Sequence, residues 1–128
     1  MPRLESTRSV THTPVAANVI NKQRFVNIVT GAEVDEALSG GMAVGVSGNE
    51  SLAAATTPIQ VYLLDGAMVP VESGAAVTLG TRVMSDATGR AITATGATAR
   101  VLGVAMESAG GAGEFITIAT QSPSDFVA

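Results

Sequence analysis

Arg82-Val83-Met84-Ser85-Asp86-Ala87-Thr88-Gly89-Arg90-Ala91-Ile92-Thr93 states the grammar of the chain. Two short runs flank Asp-Ala-Thr-Gly, a turn sequence. The stretch therefore predicts a strand from Arg82 to Ser85, a turn, and a return strand from Arg90 to Thr93. Outward from it, Ala43 to Thr120 is written in short Val/Ile/Leu/Ala/Thr runs cut by glycines, without cysteine, tryptophan or lysine. Such runs favour pleated, half-buried surfaces.

Further strands are expected at Phe25 to Val29, Met42 to Val46, Ile59 to Leu64, Ala67 to Val71, Val101 to Ala105 and Phe115 to Thr120. Gly74 and Gly80 bracket another apolar run, Ala75 to Leu79. Asp65-Gly66 lies between two apolar runs and predicts a second hairpin, because both central residues of a type I′ turn need positive φ. Glu33 to Leu38, ahead of Ser39-Gly40-Gly41, reads as a turn with room for one helical turn. Ser47 to Glu50 reads as a polar loop and Ala109 to Gly113 as a loop too glycine-rich for a helix. An internal echo joins Ala43-Val44-Gly45-Val46 and Ile59-Gln60-Val61 to Val101-Leu102-Gly103-Val104 and Ile116-Thr117-Ile118, so two similar lobes are expected. The expectation is an all-β fold, a small β-barrel or sandwich of short antiparallel strands, with an extended N-terminal arm. Residues 1–24 form that arm, 25–120 the β domain and 121–128 a C-terminal tail.

With 46% hydrophobic but 3% aromatic residues, the core must be built from small aliphatic side chains. Each removes little area from water, so burial between chains would add useful stability. The absence of cysteine excludes disulfides and thiolate metal sites. The opening MPRLESTRSV places charges where a secretory signal needs an apolar run, and no apolar run approaches membrane-spanning length. A soluble protein made in a cytoplasm is expected. Charge is unevenly placed: Arg3, Arg8, Lys22 and Arg24 against Glu5 give residues 1–24 +3, and three arginines against ten carboxylates give the remainder −7, which together make the formal −4. A basic arm precedes an acidic body; the arm reads equally as a contact for an acidic partner surface and as a frayed, solvated terminus, and the charge balance disfavours nucleic acid.

Chemistry is sparsely provisioned. Nucleophilic catalysis needs a base held by a third group, and His12, the single histidine, lies in the arm. Glu33, Asp35 and Glu36 form the one acidic cluster, but their spacing does not match a calcium loop and a solvated turn is expected. Glu107 and Glu114 flank the Gly-rich loop and read as solvated loop ends. That loop has neither phosphate-binding glycine pattern and leads into a strand, so no helix N-terminus meets an anion. The Val69 to Gly80 rhythm suggests biotinyl and lipoyl carriers, yet that region has no lysine to modify. Phe25, Tyr62 and Phe115 lie in expected strands, where core packing is their expected use, while Phe126 in the tail is available to anchor in a neighbouring chain. No catalytic residue, cofactor or metal is expected.

Val44-Gly45-Val46-Ser47, Val69 to Val77 with Gly80, Thr81, Arg82 and Val83, Ser85-Asp86 to Gly89-Arg90-Ala91, Leu102 to Ala105, and Gly113 to Ile116 follow one another in a characteristic order. In that order the stretch from Val44 to Ala119 resembles the tailed-phage capsid decoration, or capsid cement, proteins. The resemblance implies a compact β-barrel-like subunit, commonly a homotrimer, on the outer surface of the capsid. There it would clamp neighbouring major capsid proteins after shell expansion, without catalysis, nucleic acid or membrane. The basic segment departs from the shorter starts of that family; Arg3, Arg8, His12, Lys22, Arg24 and Phe126 are the expected capsid or inter-subunit contacts. A phage fibre or surface adhesion module is the rival reading, weakened by the scarcity of aromatic residues. A glycosidase relying on carboxylates alone is a second rival, and it lacks sugar platforms.

Overall fold

A computed structural model describes residues 15–16, 20–28, 33–41, 43–49, 60–96 and 99–121. All regular structure among them is β: β1 (Val15–Ala16), β2 (Phe25–Ile28), β3 (Glu33–Glu36), β4 (Gly45–Ser47), β5 (Val61–Leu63), β6 (Met68–Glu72), β7 (Arg82–Ser85), β8 (Ala91–Thr93), β9 (Gly103–Ala105) and β10 (Phe115–Thr120). They form two five-stranded sheets, ordered β1-β3-β2-β4-β5 and β6-β10-β9-β7-β8. All pairs are antiparallel except β1 with β3. Of the barrel and the sandwich, the arrangement is sandwich-like, because neither sheet closes into a barrel. In the second sheet Ser73, just past β6, makes a single parallel bridge to Ala91 at the opposite border, which curls the sheet without a closing ladder.

The two sheets carry the same unit twice. The β2–β3 hairpin, β4 against β2, and β5 against β4 recur as the β7–β8 hairpin, β9 against β7, and β10 against β9. Register is conserved between them: Val26 pairs with Glu36 and Gly45 as Val83 pairs with Thr93 and Gly103. The offset is 57 or 58 residues (26 to 83, 36 to 93, 45 to 103). Individual bonds repeat as well. Val44 N–H donates to Val26 C=O at 2.9 Å and Leu102 N–H to Val83 C=O at 2.9 Å. Gln23 N–H donates to Ser47 C=O and Gly80 N–H to Ala105 C=O, both at 2.8 Å. Gln23, at φ 58°, is the single non-glycine residue with positive φ among those described, and its counterpart is Gly80 at 88°. The internal echo in the sequence is thus a duplication of the fold.

Gly45 and Gly103 show why the echo keeps glycine. A Cβ on Gly45 would press into the carbonyl oxygen of Tyr62, and one on Gly103 into that of Ala119. Each lobe also buries the same four positions. Ile20, Val26, Val34 and Val61 form a cluster in the first lobe; Val77, Val83, Ala91 and Ile118 are their buried counterparts in the second.

Several expectations change. Asp65-Gly66 does not close a hairpin: β5 pairs with β4 and β6 with β10, so the dipeptide links the two lobes. Long-range pairing decided this over the local turn signal. Glu33 to Glu36 is a strand, not a helical turn, because Val34 buries its side chain while β2 and β1 supply ladders on both sides. Ser47, expected in a loop, ends β4 and is fully buried; its hydroxyl donates to Asn21 C=O at 2.8 Å. The 82–93 hairpin is as expected. Its turn is held by the Asp86 carboxylate, which accepts from Thr88 N–H and Arg90 N–H, both at 2.9 Å.

Candidate interaction surface

Three features of the described residues could meet a partner: an ion network where the lobes join, a groove beside it, and an exposed sheet face. The network centres on Arg24, just before β2. Its Nε and Nη2 donate to Glu72 Oε1 at 3.1 and 3.0 Å, and Nη1 donates to Thr88 C=O at 3.0 Å and reaches Glu36 Oε2 at 3.5 Å. Glu36 also accepts from the backbone and side-chain amides of Asn21 at 3.0 and 3.1 Å. Beyond Glu72, Arg90 Nη1 lies 3.9 Å from Oε2, and Arg90 Nε donates to Asp86 Oδ2 at 3.1 Å. Burial pushes the Asp86 carboxyl up, but the Thr88 and Arg90 amides and the Arg90 charge outweigh it and hold the group below its ordinary value. The Arg24 side chain is 11% exposed and that of Glu72 17%, so this pair is partly shielded from water. It bridges the lobes, since Arg24 and Glu36 belong to the first and Glu72, Thr88, Arg90 and Asp86 to the second.

The groove, about 340 Å³, is lined by Gln23, Ser47, Gly48 and Tyr62 of the first lobe and Met68, Val69 and Pro70 of the second. It holds neither a charged side chain nor a base–nucleophile pair, so it offers shape rather than chemistry. Every buried side-chain nitrogen and oxygen among the described residues is satisfied. The two loop-end carboxylates are each taken up by a backbone amide. Glu107 accepts from Thr117 N–H at 2.8 Å, and the Thr117 side chain together with that amide holds its exposed carboxyl below the ordinary value; Glu114 accepts from Gly110 N–H at 2.9 Å.

The third feature is the outward face of the second sheet. Along β10, Ile116 and Ile118 point inward while Phe115, Thr117 and Ala119 point outward. The register sets Glu72 beside Phe115, Pro70 beside Thr117 and Met68 beside Ala119; Val104 of β9 flanks Ala119 on the other side, and Arg82 of β7 flanks Val104. Met68 is 59% exposed and Phe115 48%. Core packing was the expectation for Phe115, and the structure overturns it: the side chain opens the strand on the outward parity. Phe25 is buried and Tyr62 half-buried, as core packing requires. The signal for Phe115 was the alternation itself, with the two isoleucines claiming the inward parity.

Of the residues expected at a capsid or inter-subunit contact, Lys22 is exposed and Arg24 sits in the ion network. Arg3, Arg8, His12 and Phe126 lie outside the described residues. Arg24 was placed with the arm by its charge; the Glu72 that binds it is 48 positions away and no local pattern shows it.

A family model described as phage cement protein matches residues 4–120. No curated protein matches the chain. Among solved structures, the chain is similar to the head fiber gp8.5 N base in bacteriophage phi29, with a TM-score of 0.74 and 19% identity over 91% of this chain and 96% of that one. At that identity the likeness is one of fold.

Proposed function

Because this chain belongs to the phage cement protein family, and so to the structural proteins of the phage particle, we propose that it binds the outer surface of a capsid and stabilises the shell. Its partners on this reading are the major capsid protein and two further copies of itself in a homotrimer. The carrying observation is the family match, which runs from residue 4 to residue 120 and so takes in most of the arm as well as both lobes. The physical chemistry supports it. Cement needs many modest contacts spread over a surface, and this chain offers an exposed sheet face and a shallow groove with no reactive constellation. We assign it no catalytic step. The basic arm, with Arg3, Arg8 and His12, and exposed Lys22 beside it, supplies charge for an acidic shell surface, and Phe126 an apolar anchor.

Co-sedimentation with undecorated phage heads tests the reading. The full chain should pellet with heads, and deletion of residues 1–10, which leaves buried Ile20 and bonded Arg24 in place, should weaken pelleting without lowering the melting temperature. A chain that stays in the supernatant at every ratio of protein to heads would remove the proposal. The fold likeness to a head fiber base supports a second reading, a phage fibre or surface adhesion module. That reading expects binding to host cells in place of heads.

A further inference from the structure

The two lobes share one covalent connection, from the end of β5 to the start of β6, and its middle is Asp65-Gly66. Both ends of it are pinned. Leu64 is buried and its N–H donates to Val44 C=O at 3.3 Å; Ala67 is buried and its C=O accepts from Thr120 N–H at 3.0 Å and from Thr120 Oγ1 at 2.7 Å. Between these anchors Asp65 and Gly66 are exposed. Asp65 N–H donates to Leu63 C=O at 3.0 Å, and the chain bends there. Gly66 holds the left-handed conformation, at φ 100°, and a Cβ built on it would meet nothing within 4 Å. Its amide belongs to neither ladder, since β5 ends at Leu63 and β6 begins at Met68.

In any aspartate the backbone nitrogen of the next residue can attack the side-chain carboxyl carbon. A glycine in that next position leaves the approach open and rotates most readily. A type I′ hairpin would have fixed both residues between paired strands; here β5 and β6 pair elsewhere. The other described aspartates are held. Asp35 pairs with Asn27 in the first sheet and is followed by Glu36, whose carboxylate is tied to Asn21 and Arg24. Asp86 holds its turn with both carboxylate oxygens, which accept from Thr88 N–H, Arg90 N–H and Arg90 Nε, and it is followed by Ala87. Ring closure at either would break those bonds, whereas at Asp65-Gly66 it disturbs no ladder.

We propose that Asp65-Gly66 is a modification site, where the chain converts slowly and without an enzyme to isoaspartate, and that the conversion slackens the connection between the lobes. The Gly66 nitrogen attacks Asp65 Cγ. The N–Cγ bond forms, and a carboxylate oxygen departs as water with the amide proton and a proton from solvent. Water then adds back to the succinimide ring. Opening the N–Cγ bond returns aspartate. Opening the bond between that nitrogen and the Asp65 main-chain carbonyl carbon leaves the main chain running through Cγ, with the former carbonyl as the free carboxylate. One water leaves and one returns, so composition and charge are unchanged. The link is longer by one main-chain carbon, between two ends that hydrogen bonds hold in place. The inference stands on the link itself and is independent of the capsid reading.

Peptide mapping of the full chain, stored for weeks at neutral pH and physiological temperature, tests this. Isoaspartate is read by isoaspartyl methyltransferase labelling and by fragmentation that locates the altered linkage. It should accumulate at residue 65 several-fold above residues 35 and 86, preceded by a species lighter by one water. Asp65→Glu, which would need a larger ring, should lose the signal. Asp65→Asn, which expels ammonia in place of water, should gain it several-fold faster. Both changes fall at an exposed position outside the ladders, and circular dichroism checks that the fold is kept. The stored parent, unlike stored Asp65→Glu, should melt at a lower temperature than fresh protein. Isoaspartate at residue 65 no higher than at 35 and 86, or conversion many times slower than in the same chain unfolded in urea, would overturn the site. An isoaspartate-rich fraction that melts with the fresh chain would overturn its effect on the link.

Discussion

Replacing Arg24 with alanine should loosen the joint between the lobes, and the structure sets the size of the effect. The guanidinium donates twice to Glu72 Oε1, at 3.1 and 3.0 Å, and once to Thr88 C=O at 3.0 Å. A hydrogen bond to a charged group contributes about 1.5–3 kcal/mol, and breaking a fully buried ion pair costs about 3–5 kcal/mol. Two features reduce these figures here. The pair retains some contact with water, and Arg90, 3.9 Å from the other Glu72 oxygen, partly compensates the stranded carboxylate. The expected loss is about 2–3 kcal/mol. For a chain of this length that is a fall of about 6–15 °C in melting temperature. Calorimetry on Arg24→Ala, Glu72→Gln and the double variant should give a coupling of about 1–2 kcal/mol. Lys22→Ala, on the exposed neighbour, should change stability by less than about 0.5 kcal/mol. A coupling indistinguishable from zero, with Arg24→Ala no worse than Lys22→Ala, would refute the inter-lobe clamp.

Three further outcomes follow from the same geometry. Gly45→Ala and Gly103→Ala should each destabilise by about 1–3 kcal/mol, and by similar amounts, because each new methyl meets a carbonyl oxygen of the neighbouring strand; urea unfolding that separates the two widely would argue against equivalent lobes. Phe25→Ala should cost about 3–5 kcal/mol, whereas Arg82→Ala at the matching position should cost little in the isolated chain. The folded-state pKa of Asp86 lies below its ordinary value of 3.8, so its contribution is present above that value and fades as pH falls through the folded pKa. Asp86→Asn should accordingly lower stability near neutrality and flatten its fall below about pH 4, as read from melting temperature against pH.

Local chemistry made part of this fold legible and left the rest hidden. The 82–93 hairpin could be read because the aspartate that forms its turn bonds residues two and four positions away. The echo between Val44-Gly45-Val46 and Leu102-Gly103-Val104 could be read because close strand approach demands glycine at both places. Asp65-Gly66 misled because a linker between lobes and a hairpin turn ask the same backbone freedom of the same residues. Glu33 to Glu36 misled because one valine among acids carries little propensity, and the strand exists through its partners. Of the interaction surface, the parity of Phe115 against Ile116 and Ile118 was in principle readable. The place of Arg24 was not, because charge alone does not say whether an arginine faces a partner chain or the other half of its own.

The duplication also accounts for the small-residue composition. A lobe of about 57 residues lies near the lower limit at which a chain buries enough surface to fold unaided, and four aliphatic side chains are a thin core. Joining two lobes adds Phe25, Val46 and Leu64 to the buried set, each contributing about 1.5–3 kcal/mol where fully removed from water. The four core positions stay apolar in both lobes: Ile20 with Val77, Val26 with Val83, Val34 with Ala91, Val61 with Ile118. The outward positions diverge, with Phe25 against Arg82 and Tyr62 against Ala119. A face covered permanently by a tethered neighbour can be fully apolar, because it is never exposed in the folded chain. The same face left open to water has to stay soluble, and an arginine at its border with small side chains at its centre keeps it so. The difference between the two copies of one surface therefore follows from which of them the fold itself covers.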